Sequence, residues 1–371
     1  MEDPGGGMIK YLSLRSHYDA LRPELDAAYS RVMQSGVYVG GPEVAAFEDE
    51  WAKYCGTTHC VAVGSGMAAL QLALESVAGG EKSRSIAIVP THTHISTWLA
   101  VTHAGMMLQP VEPTSGYVVG KIDKLHVDGM TKVILPVHMY GFPALMDEVC
   151  EMADNHGLYV ISDGAQAHGA KYNGRNVAQF GDATCWSFYP TKNLGGFGEG
   201  GAITTDSHDI AKRARALRDV GRIHRFNHYY LGHNFRMDPL QAAFLRVKLE
   251  YLDNWNARRA RLAQRYIELM SDIEFIELPK INPCSDPVWH VFPILSERRD
   301  DLRAYLRRQG VDTSMHYPVA CHHSAAYRNA WKSDEFPVAE RFSEQELSLP
   351  LHPFMGLAEV EKIAYEIRRF E

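Results

Sequence analysis

Asp163, at the end of the apolar run Leu158-Tyr159-Val160-Ile161-Ser162, lies twenty-nine positions before Lys192, which precedes Gly195-Gly196-Phe197-Gly198-Glu199-Gly200-Gly201. Between them, Ser187 opens the segment Ser187-Phe188-Tyr189-Pro190-Thr191-Lys192. A lysine amine can form a Schiff base with an aldehyde. A carboxylate beside a pyridine nitrogen favours its protonated form, which draws electrons from a neighbouring carbanion. An acid at a strand end, a lysine in a glycine-flanked loop and a hydroxyl between them therefore suit pyridoxal phosphate. Read singly, each has a plainer alternative: a solvated loop lysine, a helix-capping aspartate and an ordinary strand serine.

Other segments carry further chemistry. Gly64-Ser65-Gly66 opens a predicted helix, whose first backbone N–H groups, at Gly66 and Met67, could cradle phosphate. Such a turn alone reads equally as only a turn. His92-Thr93-His94 has the HxH spacing of metal hydrolases, with both imidazoles on one face if the segment is extended. No second acidic or histidine set completes a cage, so no metal is expected there. Lys212, Arg213, Arg215, Arg218, Arg222 and Arg225 face only Asp219 among acids between them. Most read as a solvated helix face, leaving Arg222 and Arg225 beyond the helix to meet a diphosphate.

The elements that position these residues alternate. Cys60–Val63, Ser85–Val89, Lys132–Val137 and Leu158–Ile161 read as short strands, and Met67–Leu74 and Ala144–His156 as helices. That order predicts an α/β fold with a mostly parallel central sheet and helices on both faces. In such sheets ligands collect beyond the carboxyl ends of the strands, where Gly64, Pro90 and Asp163 fall. Leu240, Phe244, Val247, Tyr251 and Trp255 recur every three or four residues and predict one long helix over residues 238–270. Beyond it, Val288–Leu295 reads as strand, Asp300–Gln309 as helix, Val311–Tyr317 as extended chain and Leu357–Phe370 as helix. The division predicted is a large α/β domain over residues 1–250 and a smaller α+β domain over 251–371.

Composition excludes several classes. The chain has 371 residues, 46% hydrophobic and 22% charged, which is ordinary for a globular protein. Forty-five acidic against 38 basic residues leave a net charge of −7, unsuited to binding nucleic acid. No apolar run reaches the roughly 20 residues of a membrane span. Met1-Glu2-Asp3-Pro4 and the three glycines after it lack a signal-peptide pattern, and six cysteines without a CxxC pair read as reduced thiols. A cytoplasmic protein is expected.

From about Tyr11 to the C-terminus, the sequence resembles the DegT/DnrJ/EryC1/StrS family of nucleotide-sugar aminotransferases. The resemblance rests on Asp163–Gly201 together with Gly64-Ser65-Gly66, Pro136-Val137-His138-Met139-Tyr140-Gly141, Gly232-His233-Asn234-Phe235-Arg236, His316-Tyr317-Pro318 and Leu347-Ser348-Leu349-Pro350. Thr97-Trp98-Leu99-Ala100-Val101 and Leu240–Leu249 are most similar to the branch that aminates carbon 3 of dTDP-linked keto-deoxysugars. The resemblance implies the type I pyridoxal-phosphate fold and transfer of an amino group, from L-glutamate, to such a sugar. Relatives that dehydrate sugars carry histidine where Lys192 stands, so lysine favours amino transfer.

It further implies that Lys192 is the covalent amine and that Asp163 pairs with the ring nitrogen. Gln166 would lie near the cofactor's phenolic oxygen, and His94 would stack on the ring where relatives place an aromatic. Ser187, Gly66 and Met67 would bind the phosphate, although Met67 stands where the family usually has threonine. Asn234 would reach the phosphate of a neighbouring subunit in a homodimer with shared sites. Tyr189, Arg222, His316, Tyr317 and His322 are candidates for the sugar nucleotide, while His322-His323 reads equally as surface. Two other classes stay open: a catalytically silent sensor on the same fold, and a metal hydrolase using His92 and His94.

Overall fold

Seven strands form the central sheet: β1 His59–Val63, β2 Ile86–Pro90, β3 Met107–Val111, β4 Thr131–Ile134, β5 Tyr159–Asp163, β6 Ala183–Ser187 and β7 Gly201–Thr205. The structure is a computed structural model that describes residues 8–78, 85–114, 127–328, 330–332 and 335–370. The opening segment, residues 1–7, lies outside the described residues. The strand order is β1-β7-β6-β5-β4-β2-β3. From β6 through β5, β4 and β2 to β3 every pairing is parallel. By contrast β7 runs antiparallel to both β6 and β1. The reversal follows from the connection 188–200, which returns directly to the sheet without a crossover helix, as only an antiparallel neighbour permits. That connection carries Lys192.

Apolar residues cover both faces of the sheet, as the alternation of a strand requires. In β1, Val61 and Val63 join one core cluster while Cys60 and Ala62 join another. The second cluster is built around Trp51, Phe47, Trp186 and Phe188, all fully buried. Helices α1 Leu14–Ser35, α2 Pro42–Cys55, α3 Gly66–Val77, α4 Ile95–His103, α5 Met146–His156 and α6 His208–Arg218 flank or precede the strands. Ser65 caps α3 by accepting a hydrogen bond from the Ala68 N–H. The ring of His94 does the same for α4, accepting from Ser96 N–H at 3.2 Å.

The single long helix expected over 238–270 is two helices, α7 Pro239–Leu249 and α8 Leu252–Met270. Tyr251 N–H donates to the Lys248 carbonyl, a tighter turn that interrupts the α-helical ladder. The apolar stripe survives the break. Leu240 packs with Ala28 and Val32 of α1, and Trp255 with Leu21 and Leu25. Spacing shows which side chains share a face, but not whether the backbone bends between them.

Beyond α8 lie α9 Arg299–Arg308, α10 Pro337–Gln345 and α11 Leu357–Arg368, with Phe292–Leu295 pairing antiparallel to Glu346–Leu349. The predicted strand 288–295 starts late because Trp289 has a left-handed backbone, φ 49°. The stretch 311–317 makes only isolated bridges, Val311 to Ile9 and Ser314 to Ser348. Among the described residues, no helix is long and apolar enough to cross a membrane.

Candidate active site

The carboxyl ends of β1, β5 and β6 lie on one edge of the sheet, because β7 is antiparallel to both β1 and β6. A cavity of about 810 Å³ opens there. Lys192, Asp163, Gln166, Ser187, Gly66, Met67, His94, Asn234, Tyr189, His316 and Tyr317 all line it. Residues up to 253 positions apart in the chain are thus brought to one place, from Gly64 to Tyr317.

Asp163 is 6% exposed at the end of β5. Its Oδ1 accepts from the Ala165 N–H at 3.0 Å and its Oδ2 from the Thr97 hydroxyl at 2.8 Å. Thr97 spends its only proton there, so at 2.8 Å it accepts from Thr93. Sequence reasoning passed over this pair. Its only trace is the four-residue spacing of the two threonines around the start of α4.

Lys192 sits in a turn closed by its own N–H to the Tyr189 carbonyl at 2.9 Å. Burial pushes its amine down to about 8, against the opposing pull of the Asp163 charge. The imidazoles of His94, His168 and His316 are pushed below their usual range chiefly by burial, and further by the Lys192 charge. Each ring is thereby biased toward its neutral form. His94 also meets the Tyr317 ring edge-on, with centroids 5.2 Å apart.

At the N-terminus of α3 the backbone touches β6. A Cβ placed on Gly66 would fall 2.6 Å from the Ser187 Cβ, so only glycine allows this approach. The Ser187 hydroxyl accepts from Tyr189 N–H at 3.3 Å and keeps its own proton to donate. Gln166 is held at both ends of its amide, accepting from Tyr140 N–H at 2.5 Å and donating to the Tyr317 hydroxyl at 3.1 Å. His316 is braced from behind: its Nδ1 lies 2.8 Å from the Ser348 hydroxyl, which in turn donates to buried Glu346.

Two candidates fall elsewhere. Arg222 is not among the residues lining this cavity; it is on the exposed strand 222–224 and pairs with Asp219. The cation at the wall is Arg236, also paired with Asp219, because Val63 bridges to Arg236 and draws that segment in. His322 is fully buried but faces away, with Nε2 2.9 Å from Glu340 Oε1. Its neighbour Cys321 donates to the Thr93 carbonyl at 3.2 Å, which turns His322 toward α10. His323 also lies 3.5 Å from Glu340.

His92 and His94 do not converge on a common point, because they take separate partners. His92 Nε2 is 2.7 Å from the Tyr140 hydroxyl, while His94 Nδ1 caps α4. Asn234 is exposed at the cavity edge of its own chain, where Gly64 N–H donates to the Phe235 carbonyl at 2.8 Å.

The chain as a whole is similar to known proteins. A dTDP-3-amino-3,4,6-trideoxy-alpha-D-glucose transaminase of Streptomyces venezuelae is 44% identical over 367 residues, covering 98% of this chain and 96% of the relative. The crystal structure of S. venezuelae DesV in complex with a ketimine intermediate superposes with a TM-score of 0.96 at 43% identity, covering 98% of each chain. NtdA of Bacillus subtilis, solved with bound cofactor PMP, superposes with a TM-score of 0.90 at 26% identity, covering all of this chain and 86% of the other. The DegT/DnrJ/EryC1/StrS aminotransferase family model matches residues 19–368. The chain belongs to the DegT/DnrJ/EryC1/StrS aminotransferase family.

Proposed function

We propose that the protein is a pyridoxal-phosphate-dependent aminotransferase that aminates carbon 3 of a nucleotide-linked keto-deoxysugar, a dTDP-3-keto-6-deoxyhexose, with L-glutamate as donor. The observation that carries this reading is a half-buried amine, Lys192, pushed down to about 8, which shares one cavity with Asp163 and with a cradle of backbone N–H groups and a hydroxyl. An amine pushed down that far keeps a minor neutral fraction near physiological pH, far larger than an ordinary lysine has, and that fraction can act as nucleophile and base. The cradle consists of the α3 N-terminus and the Ser187 hydroxyl, which Gly66 allows to touch.

Pyridoxal phosphate, when bound, supplies a carbonyl that exchanges between amines and a ring that stabilises negative charge on carbon. The residues present fit it. Asp163, held by two donors, would keep the ring nitrogen protonated. Backbone N–H groups of Gly66 and Met67, the Ser187 hydroxyl and the Asn234 amide would hold the phosphate. His94 would stack on the ring and Gln166 would lie near its phenolic oxygen. Lys192 Nζ would take the proton from the α-carbon of glutamate and return it as an acid; in the second half-reaction it would serve the sugar carbon in reverse. Tyr189, His316 and Tyr317 would receive the sugar. The working unit is a homodimer in the cytoplasm, with Asn234 contributed across the interface.

The test has two readouts. Borohydride reduction of the cofactor-loaded protein should leave a mass adduct on the peptide carrying Lys192, and Lys192→Ala should abolish it with turnover. A screen of keto-sugar nucleotides with glutamate should then yield an amino sugar by mass. An adduct on a different lysine would overturn the site. A Lys192 adduct with no acceptor turned over would favour the silent sensor, and efficient exchange between amino acids alone would overturn the substrate class.

A further inference from the structure

Lys248 is 3% exposed, in the last turn of α7, beneath the connection that carries Lys192. Its Nζ donates to the Gly195 carbonyl at 2.7 Å and lies 3.7 Å from the centre of the Phe197 ring. Two turns earlier in α7, Gln241 Oε1 accepts from the Phe197 N–H at 2.8 Å. The two side chains are seven residues apart, two turns of helix, and so project from the same face of α7. They grip consecutive parts of one turn. A Cβ on Gly196 would come 2.7 Å from Gln241 Oε1, which shows how closely that turn lies on the helix.

We infer that Lys248 is a positioning residue for Lys192: with Gln241 it clamps the 195–197 turn to α7 and thereby fixes where the amine three residues earlier points. The connection 188–200 is irregular and contains no helix or strand. Its internal bonds, Lys192 N–H to Tyr189 and Gly196 N–H to Phe188, shape the turn. Asn193 ties the residue next to Lys192 to other segments, its amide donating to Asn256 Oδ1 and to the Val288 carbonyl at 2.9 Å, with its Oδ1 3.0 Å from His290 Nδ1. Lys248 and Gln241 tie the other end of the turn, residues 195–197, to α7. A buried lysine without a carboxylate partner is costly, and burial alone pushes this one down to about 7. A carbonyl and an aromatic face are the partners that accept its N–H groups whether it is charged or neutral. Methionine would fill the same space without donating; arginine would restore a donor.

This inference rests on Lys192 being the reactive amine, so the experiment reads the amine directly, in protein freed of cofactor. Lys192 is labelled with trinitrobenzenesulfonate from pH 6 to 10 and quantified by peptide mapping. Wild type should show a midpoint near the depressed value. Lys248→Met should move the midpoint up by about one unit as water enters a loosened turn, Gln241→Ala should move it in the same direction, and Lys248→Arg should return it toward wild type. In the loaded enzyme, kcat for Lys248→Met should fall about 10- to 100-fold with KM for glutamate changed less than about threefold, as expected when a reacting group is misplaced by about 1 Å. An unchanged midpoint and kcat in a folded Lys248→Met protein would overturn the clamp. If that variant does not fold, an unchanged midpoint in Gln241→Ala overturns it instead. A wild-type midpoint at the ordinary lysine value would count against the role of Lys192 and not against the clamp, which would still show as a change in labelling rate.

Discussion

Thr97 Oγ1 donates to Asp163 Oδ2 at 2.8 Å, so a helix that follows β2 orients the carboxylate delivered by β5. Thr97 is fully buried and makes its second bond to Thr93, whose backbone is tied in turn to Cys321. The carboxylate is therefore fixed by a chain of contacts reaching the C-terminal third of the protein.

Replacing Thr97 with valine keeps the shape and removes the donor. One buried carboxylate oxygen then loses its partner, at a cost of about 1–3 kcal/mol. The expected result is kcat about tenfold lower with little change in cofactor affinity, and recovery in Thr97→Ser. Steady-state kinetics at saturating cofactor checks it; a wild-type kcat in Thr97→Val would show that Ala165 alone suffices.

Gly66→Ala should strike the phosphate cradle. The new methyl lies 2.6 Å from the Ser187 Cβ, and neither backbone can retreat without shifting α3 or β6. Overpacking of this kind costs about 1–3 kcal/mol, or roughly ten- to a hundredfold in affinity if it falls on binding. Fluorescence titration of the cofactor-free protein with pyridoxal phosphate should show that loss, and Ser187→Ala should show a smaller one.

The buried carboxyl of Glu346 sets a pH dependence. Burial raises it from 4.5 to about 7, although His316 N–H and the Ser348 hydroxyl both donate to it. Between those values the folded protein holds a proton that the unfolded chain releases, so this group's contribution to stability falls as pH rises from 4.5 to about 7. Glutamine carries no charge to bury and escapes the loss. Urea unfolding should therefore find Glu346→Gln gaining on wild type across that window, by about 3 kcal/mol at most. A constant difference from pH 5 to pH 8 would contradict it.

The assembly prediction concerns Asn234. It follows an exposed arm in which Phe226 is 81% and Leu231 86% exposed, apolar surface that a second copy would cover. If the protein pairs by a two-fold contact through this arm, as proposed, each cavity would receive Asn234 from the partner subunit. Mixing inactive Lys192→Ala subunits with a severely impaired Asn234→Ala variant should restore activity, toward one working site per mixed dimer. Verified mixed dimers that stay inactive would show that Asn234 serves the cavity of its own chain.

Much of the site was legible along the chain because its parts sit at strand ends. An apolar run that stops at Asp163, a serine closing the next strand, and glycines where backbone meets backbone are local consequences of building a sheet edge. Those residues report themselves through type and spacing, and Lys192, Gly66 and Ser187 all reach one cavity. What lay beyond reach was decided between segments far apart in sequence. Asp219 holds Arg222 away and Arg236 nearby, and Glu340 turns His322 from the cavity. The bend between α7 and α8 leaves the apolar spacing intact, so no periodicity could reveal it. Thr97 and Lys248 look ordinary in the sequence and take on roles only where folding removes water from a carboxylate and an amine that must then find partners within the protein.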